Sequence, residues 1–75
     1  MNDTAYLKKI GLKLKILRSL KGLSQDEIVN KLNVDKSYYS KVERGLTNPS
    51  ILYLKRIAEL FNVSLSELVD SNINF

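Results

Sequence analysis

The spacing of apolar residues predicts an all-α chain of five short helices. From Tyr6 to Leu20, residues Leu7, Ile10, Leu14 and Leu17 recur at intervals of three and four and fall on one helix face. Lys21-Gly22 ends that helix, because glycine readily takes the left-handed conformation that closes a helix. Ser24-Gln25-Asp26-Glu27 has the form of a capping box, opening a second helix to about Leu32 with Ile28 and Leu32 inward. Asn33-Val34-Asp35 makes a tight connection, and Asp35 caps a third helix that runs to about Arg44 and stops at Gly45. Leu46 to Ser50, punctuated by Asn48-Pro49, reads as a loop. A fourth helix follows with Ile51, Leu54, Ile57, Ala58 and Phe61 as its stripe. Ser64-Leu65-Ser66-Glu67 is a second capping box and starts a fifth helix carrying Leu65, Leu68 and Val69, while Ser71 to Phe75 is expected frayed or docked. No strand-like alternation, repeat or low-complexity tract interrupts this pattern.

Seventy-five residues fit a single domain over 1–75, at the small end of what folds alone. The chain lacks Cys and Trp, and has no His, so disulfides, thiolate–metal staples and His- or Cys-based catalysis are excluded. The carboxylates are scattered and no Ser stands beside a base, so an enzyme is not expected, nor is a cofactor, metal or small-molecule ligand. No apolar stretch approaches the ~20 residues that span a bilayer, and the N-terminus lacks a signal-peptide core, which together suggest a cytoplasmic protein.

Charge is distributed unevenly. Residues 1–56 hold all twelve Lys and Arg against five acids, a net of +7, whereas residues 57–75 hold no base and three acids. A basic body with an acidic, apolar tail suggests one surface for a polyanion and another for a different contact.

Two short helices, Gln25–Leu32 and Lys36–Arg44, joined by a three-residue turn, form a helix-turn-helix. With Tyr39 and Val42 inward, Lys36, Ser37, Ser40, Lys41 and Arg44 fall on the opposite face. Such a helix fits the major groove, where lysine donates to guanine and serine donates to or accepts from several bases. The competing reading is an ordinary solvated helix face.

Leu23-Ser24-Gln25-Asp26-Glu27-Ile28, Ser40-Lys41-Val42-Glu43-Arg44-Gly45, Pro49-Ser50 and Ile57-Ala58 together resemble the Xre or Cro/cI-type helix-turn-helix family with the lambda-repressor-like fold. The likeness covers roughly residues 10–69. The Asp35-Lys36-Ser37-Tyr38-Tyr39-Ser40 run is similar to the recognition helix of restriction–modification controller proteins. The resemblance implies that Gln25 bonds a phosphate, that Lys36, Ser37 and Lys41 read bases, and that Arg44, Asn48 and Ser40 hold the DNA backbone. It leaves Tyr38 either beside sugar and phosphate or as a plain surface residue. It implies an internal salt bridge between Arg18 and Glu43, and core roles for Ile28, Val34, Tyr39 and Val42. This chain departs from the family at Val29, where a small Ala is usual, and at Tyr39, where a β-branched aliphatic is common; both add volume and suggest a slightly more open helix crossing.

Three base-reading side chains discriminate by only ~1–3 kcal/mol each, too little to select a genomic site. A homodimer on a palindromic operator in double-stranded DNA, with half-sites about one helical turn apart, is therefore expected. Phe61, Leu65, Val69, Ile73 and Phe75 in the base-poor tail are the expected interface; the competing use is to complete the monomer core, Leu65 and Leu68 first. Leu12, Ile16 and Leu20 form a second apolar stripe nearly opposite Leu14, suited to the tail, to a partner, or to simple exposure. The expected mechanism is occupancy of an operator, since no sensor domain is evident. The rival function is a helical protein-interaction module or antitoxin-like regulator in which DNA binding is secondary; Lys36, Lys41 and Arg44 count against it.

Overall fold

The computed structural model describes residues 3–70. Five helices follow in order: α1 Asp3–Leu20, α2 Gln25–Leu32, α3 Lys36–Glu43, α4 Ile51–Phe61 and α5 Leu65–Val69. There are no strands among the described residues.

Local chemistry sets the helix ends. Ser24 and Ser64 each accept from the backbone N–H three residues on, while Glu27 and Glu67 reach back to the serine N–H, so both capping boxes close. Asp35 and Ser50 cap α3 and α4 through Tyr38 N and Tyr53 N. Asn33 and Asn62 end α2 and α4 at φ of 55° and 59°, a left-handed conformation that asparagine tolerates. α1 begins at Asp3, three residues before the apolar pattern starts, and places an acid in its positive first turn.

The core is one cluster: Ile10 and Leu14 from α1, Ile28, Val29 and Leu32 from α2, Tyr39 and Val42 from α3, Leu54, Ile57, Ala58 and Phe61 from α4, and Leu68 from α5. Leu17, Leu23 and Val34 pack against it, half-buried. Two apolar assignments change. Ile51, expected in the α4 stripe, is 67% exposed, because as the first residue of the helix it lies beyond the core it was extrapolated onto. Phe61, expected at a subunit surface, is 1% exposed. It fills the centre of the monomer and has no face to give a partner. Leu65 and Val69 are half-buried against the core, and Ile73 and Phe75 lie outside the described residues. Leu12 and Leu20 are exposed and Ile16 is half-buried, so the second stripe of α1 is open along much of its length.

α1 approaches α3 closely at Gly11. A Cβ at Gly11 would meet the carbonyl oxygen of Glu43 at 2.3 Å and that of Val42 at 2.7 Å, so only glycine admits this spacing. α1 also grips α5. Lys13 is 6% exposed, and its Nζ donates to the carbonyls of Glu67 and Asp70, each at 2.8 Å, while the Tyr6 hydroxyl donates to the Val69 carbonyl. A buried ammonium is tolerable only when hydrogen-bonded, and the last carbonyls of a helix are the partners a cation suits best.

One buried polar side-chain atom lacks a partner among the described residues. The Tyr53 hydroxyl is enclosed without a hydrogen bond, and burial pushes its phenol up to about 12. An unsatisfied buried hydroxyl costs more than a hydrogen atom in its place. Tyr53→Phe is therefore expected to raise stability by about 1 kcal/mol, read as a shift of the urea midpoint without change in slope.

Candidate nucleic-acid interface

α3 is held from behind by a single carboxylate. Glu43 Oε2 accepts from Arg18 Nε at 2.7 Å and from the Tyr39 hydroxyl at 2.7 Å. Its Oε1 accepts from Arg18 Nη2 at 3.1 Å and from Gln25 Nε2 at 3.0 Å. Arg18 Nη1 donates in turn to the Leu23 carbonyl at 2.9 Å. The bidentate pair is enclosed, with side-chain exposures of 14% for Arg18 and 3% for Glu43. One carboxylate thus binds α1, α2 and α3 together. Burial on its own raises the Glu43 carboxyl, but the hydrogen bonds from Arg18, Tyr39 and Gln25 outweigh that and hold it below the ordinary range. The Tyr39 phenol is pushed up, first by burial and then by its bond to Glu43, so it remains a donor.

This network explains Tyr39 at an aliphatic position of the family pattern. The ring is fully buried, and the hydroxyl finds its acceptor one turn further along the same helix. The sequence carried that signal, since an inward tyrosine needs a partner and Glu43 stands four residues on. Gln25, expected to bond a phosphate, also donates from its amide nitrogen to Glu43.

On the other side, α3 presents its polar residues outward. Lys36, Ser37, Ser40, Lys41 and Arg44 line one shallow depression; Ser40 is half-buried and the other four are exposed. The expected base-reading residues are therefore neither covered nor divergent. Arg44, which caps the C-terminal end of α3, also folds its Nε onto the Ser40 carbonyl at 3.3 Å. Lys36 Nζ lies 2.8 Å from Asp26 Oδ1, a contact the apolar pattern gave no sign of. Tyr38 is half-buried, its ring edge-on to Tyr53 at 5.1 Å between centroids and 81° between planes. Its ring is thus anchored on α4. Asn48 stands apart from the depression, on a separate apolar groove with Leu7, Pro49, Ile51 and Val69. Among the described residues, no group of His, Cys, Asp or Glu is placed to hold a metal, and no helix is long and apolar enough to cross a membrane.

Two capped helices joined by a short turn, the second carrying an exposed cationic face, define a helix-turn-helix domain of the kind found in transcriptional regulators. Comparison with known proteins agrees: residues 14–68 match the helix-turn-helix family HTH_3, and the chain belongs to that Xre-like family. It is 44% identical over 62 residues to the HTH-type transcriptional regulator SinR of Bacillus subtilis, covering 81% of this chain and 56% of SinR. It is 39% identical over 69 residues to the control protein C.MunI of a Mycoplasma species, covering 91% of this chain and 90% of that protein. The crystal structure of the restriction–modification controller protein C.AhdI of Aeromonas hydrophila superposes with a TM-score of 0.78 at 37% identity, covering 83% of this chain and 94% of that one. SinR in its complex with SinI superposes with a TM-score of 0.77. The chain spans 41% of the regulator SlrR and 56% of SinR, about half the length of each. SlrR and SinR are transcriptional regulators, and C.MunI and C.AhdI are control proteins.

Proposed function

We propose that this chain is a cytoplasmic, sequence-specific regulator that reads double-stranded DNA through the outer face of α3, two copies acting together on a palindromic operator. The observation that carries this reading is the shared, exposed face of Lys36, Ser37, Ser40, Lys41 and Arg44 on a helix fixed from behind by Glu43. Base readout needs donors held in a set geometry, and a helix clamped to two others supplies it. Lys36, Ser37 and Lys41 take the base edges; Arg44 at the far end, with Ser40, takes phosphate. Gln25, already bonded to Glu43, keeps its second N–H for a phosphate, and Tyr38 stands beside the readers with its ring held against Tyr53, whereas Asn48 lies on the separate apolar groove.

A second copy is supported by the arithmetic of recognition and by apolar surface close to α3. Leu46, Ile51 and Leu52, in the loop after α3 and the first turn of α4, are exposed. They replace Phe61 as apolar surface for a partner; Val69 shares a groove with Ile51, Leu65 is half-buried against the core, and Ile73 and Phe75 lie outside the described residues. The control protein and repressor names among the relatives support regulation by occupancy.

The test is a titration of duplex DNA at two salt concentrations, with sedimentation of the free chain over a range of concentration. Lys41→Ala is expected to lose about 5- to 150-fold of discrimination at one base pair, the equivalent of ~1–3 kcal/mol. Arg44→Ala should weaken all sequences alike and flatten the salt dependence by about 0.9 in the log–log slope for each copy bound. Unchanged affinity in both variants would reject α3 as the reading helix.

A further inference from the structure

Lys36 is the first residue of α3, and its ammonium lies 2.8 Å from Oδ1 of Asp26, the second residue of α2. The pair ties together the opening turns of the two motif helices on the side that faces outward. Both side chains are more than half exposed, at 55% and 67%, so the pair adds little to the stability of the fold. What matters is how it leaves Lys36.

An ammonium carries three N–H donors. With one on Asp26, two remain. Guanine offers two major-groove acceptors, O6 and N7, whereas adenine sets a donor beside its N7 and thymine offers one oxygen beside a methyl group. Guanine is thus the base that a tethered Lys36 satisfies fully while keeping Asp26. Phosphate is a poorer match, since reaching it with the tether intact brings the Asp26 carboxylate against a second anion. Like charges about 4 Å apart repel even in water, and more strongly near a protein surface.

We infer that Asp26 is a specificity-determining residue acting through Lys36: it presents the ammonium to guanine as a two-donor reader and keeps it off the phosphates. This rests on the reading of α3 as the recognition helix. Asp26 is a positioning residue here, and its removal should change what Lys36 binds more than how well the protein folds.

The experiment is selection of the full chain on a library of randomised 24-bp duplexes, followed by salt titrations on the enriched duplex and its single-base variants. Wild type is expected to enrich a guanine that Lys36→Met no longer selects. Asp26→Asn should keep the rest of the enriched sequence, lose roughly tenfold or more of preference for that guanine, and bind unrelated duplex more tightly. Its log–log salt slope should steepen by about 0.9 for each copy bound as Lys36 acquires a phosphate. Its thermal midpoint should stay near that of wild type.

An Asp26→Asn variant with the wild-type preference and slope overturns the inference. So does one that weakens all duplexes equally, since that is the mark of a structural role. If Lys36→Met leaves the enriched sequence unchanged while Lys41→Ala alters it, this inference fails and the DNA reading stands. If wild type enriches nothing and neither variant changes binding, both fall together.

Discussion

Glu43→Ala is expected to remove about 3 kcal/mol of stability, a large part of the ~4–11 kcal/mol usual for a domain of this length. The loss exceeds that of a surface ion pair because three side chains lose their acceptor at once. Arg18 is left with most of its guanidinium inside the fold, the Tyr39 hydroxyl is left in the core, and the Gln25 amide turns free. Breaking a fully buried pair costs ~3–5 kcal/mol; the 14% exposure of Arg18 places this site at the lower end. Glu43→Gln should cost less, because its amide oxygen still accepts.

The two variants also separate in pH. Glu43 is held below the ordinary carboxylate value of ~4.3, so its contribution is complete above that value and is lost as pH falls through the lowered one. Wild type should lose stability steeply on acidification below about pH 4, and Glu43→Gln should lose markedly less over the same interval. Some slope will persist from Glu27, whose carboxyl is held low by the backbone and side chain of Ser24 at a fully exposed site. Urea denaturation at pH 7 and pH 3 measures both effects.

Gly11→Ala should destabilise by a similar amount, about 3 kcal/mol, although alanine is intrinsically the better helix former by ~1 kcal/mol. The added methyl would sit 2.3 Å from a backbone oxygen of Glu43, and backbone cannot rotate aside. Relief requires α1 to move off α3, which would stretch the bonds from Arg18 to Glu43 as well. Gly11→Ala and Glu43→Ala should therefore combine for less than the sum of their separate costs, because the first already spoils what the second removes. Urea midpoints of the two single variants and the double variant measure that coupling; strict additivity would show that the two contacts are independent.

Those two residues also mark how far the sequence can be read. The helix ends were legible because caps act locally: Ser24, Asp35 and Ser64 bond backbone three residues away, so the string of letters contains the whole interaction. The outer face of α3 was legible for the same reason, since a 3.6-residue period sends Lys36, Ser40 and Lys41 away from Tyr39 and Val42. Gly11 was not, because a glycine in mid-helix announces nothing until the helix it touches is known. Nor was Lys13, whose partners are carbonyls of the chain more than fifty residues on. Ile51 was misplaced because periodicity tells which residues share a face, but not where along the helix that face meets its neighbours. Phe61, which the same stripe places inward, was lent to a subunit surface by charge, which marked the tail as a surface of its own.

α5 draws its hold on the molecule from elsewhere. Five residues are too few to sustain a helix in water, and its terminal carbonyls are met by Lys13 and Tyr6. It therefore has no melting behaviour of its own. Denaturant or heat takes it together with α1, and since α1 is in turn locked to α3, the described body unfolds in one all-or-none step.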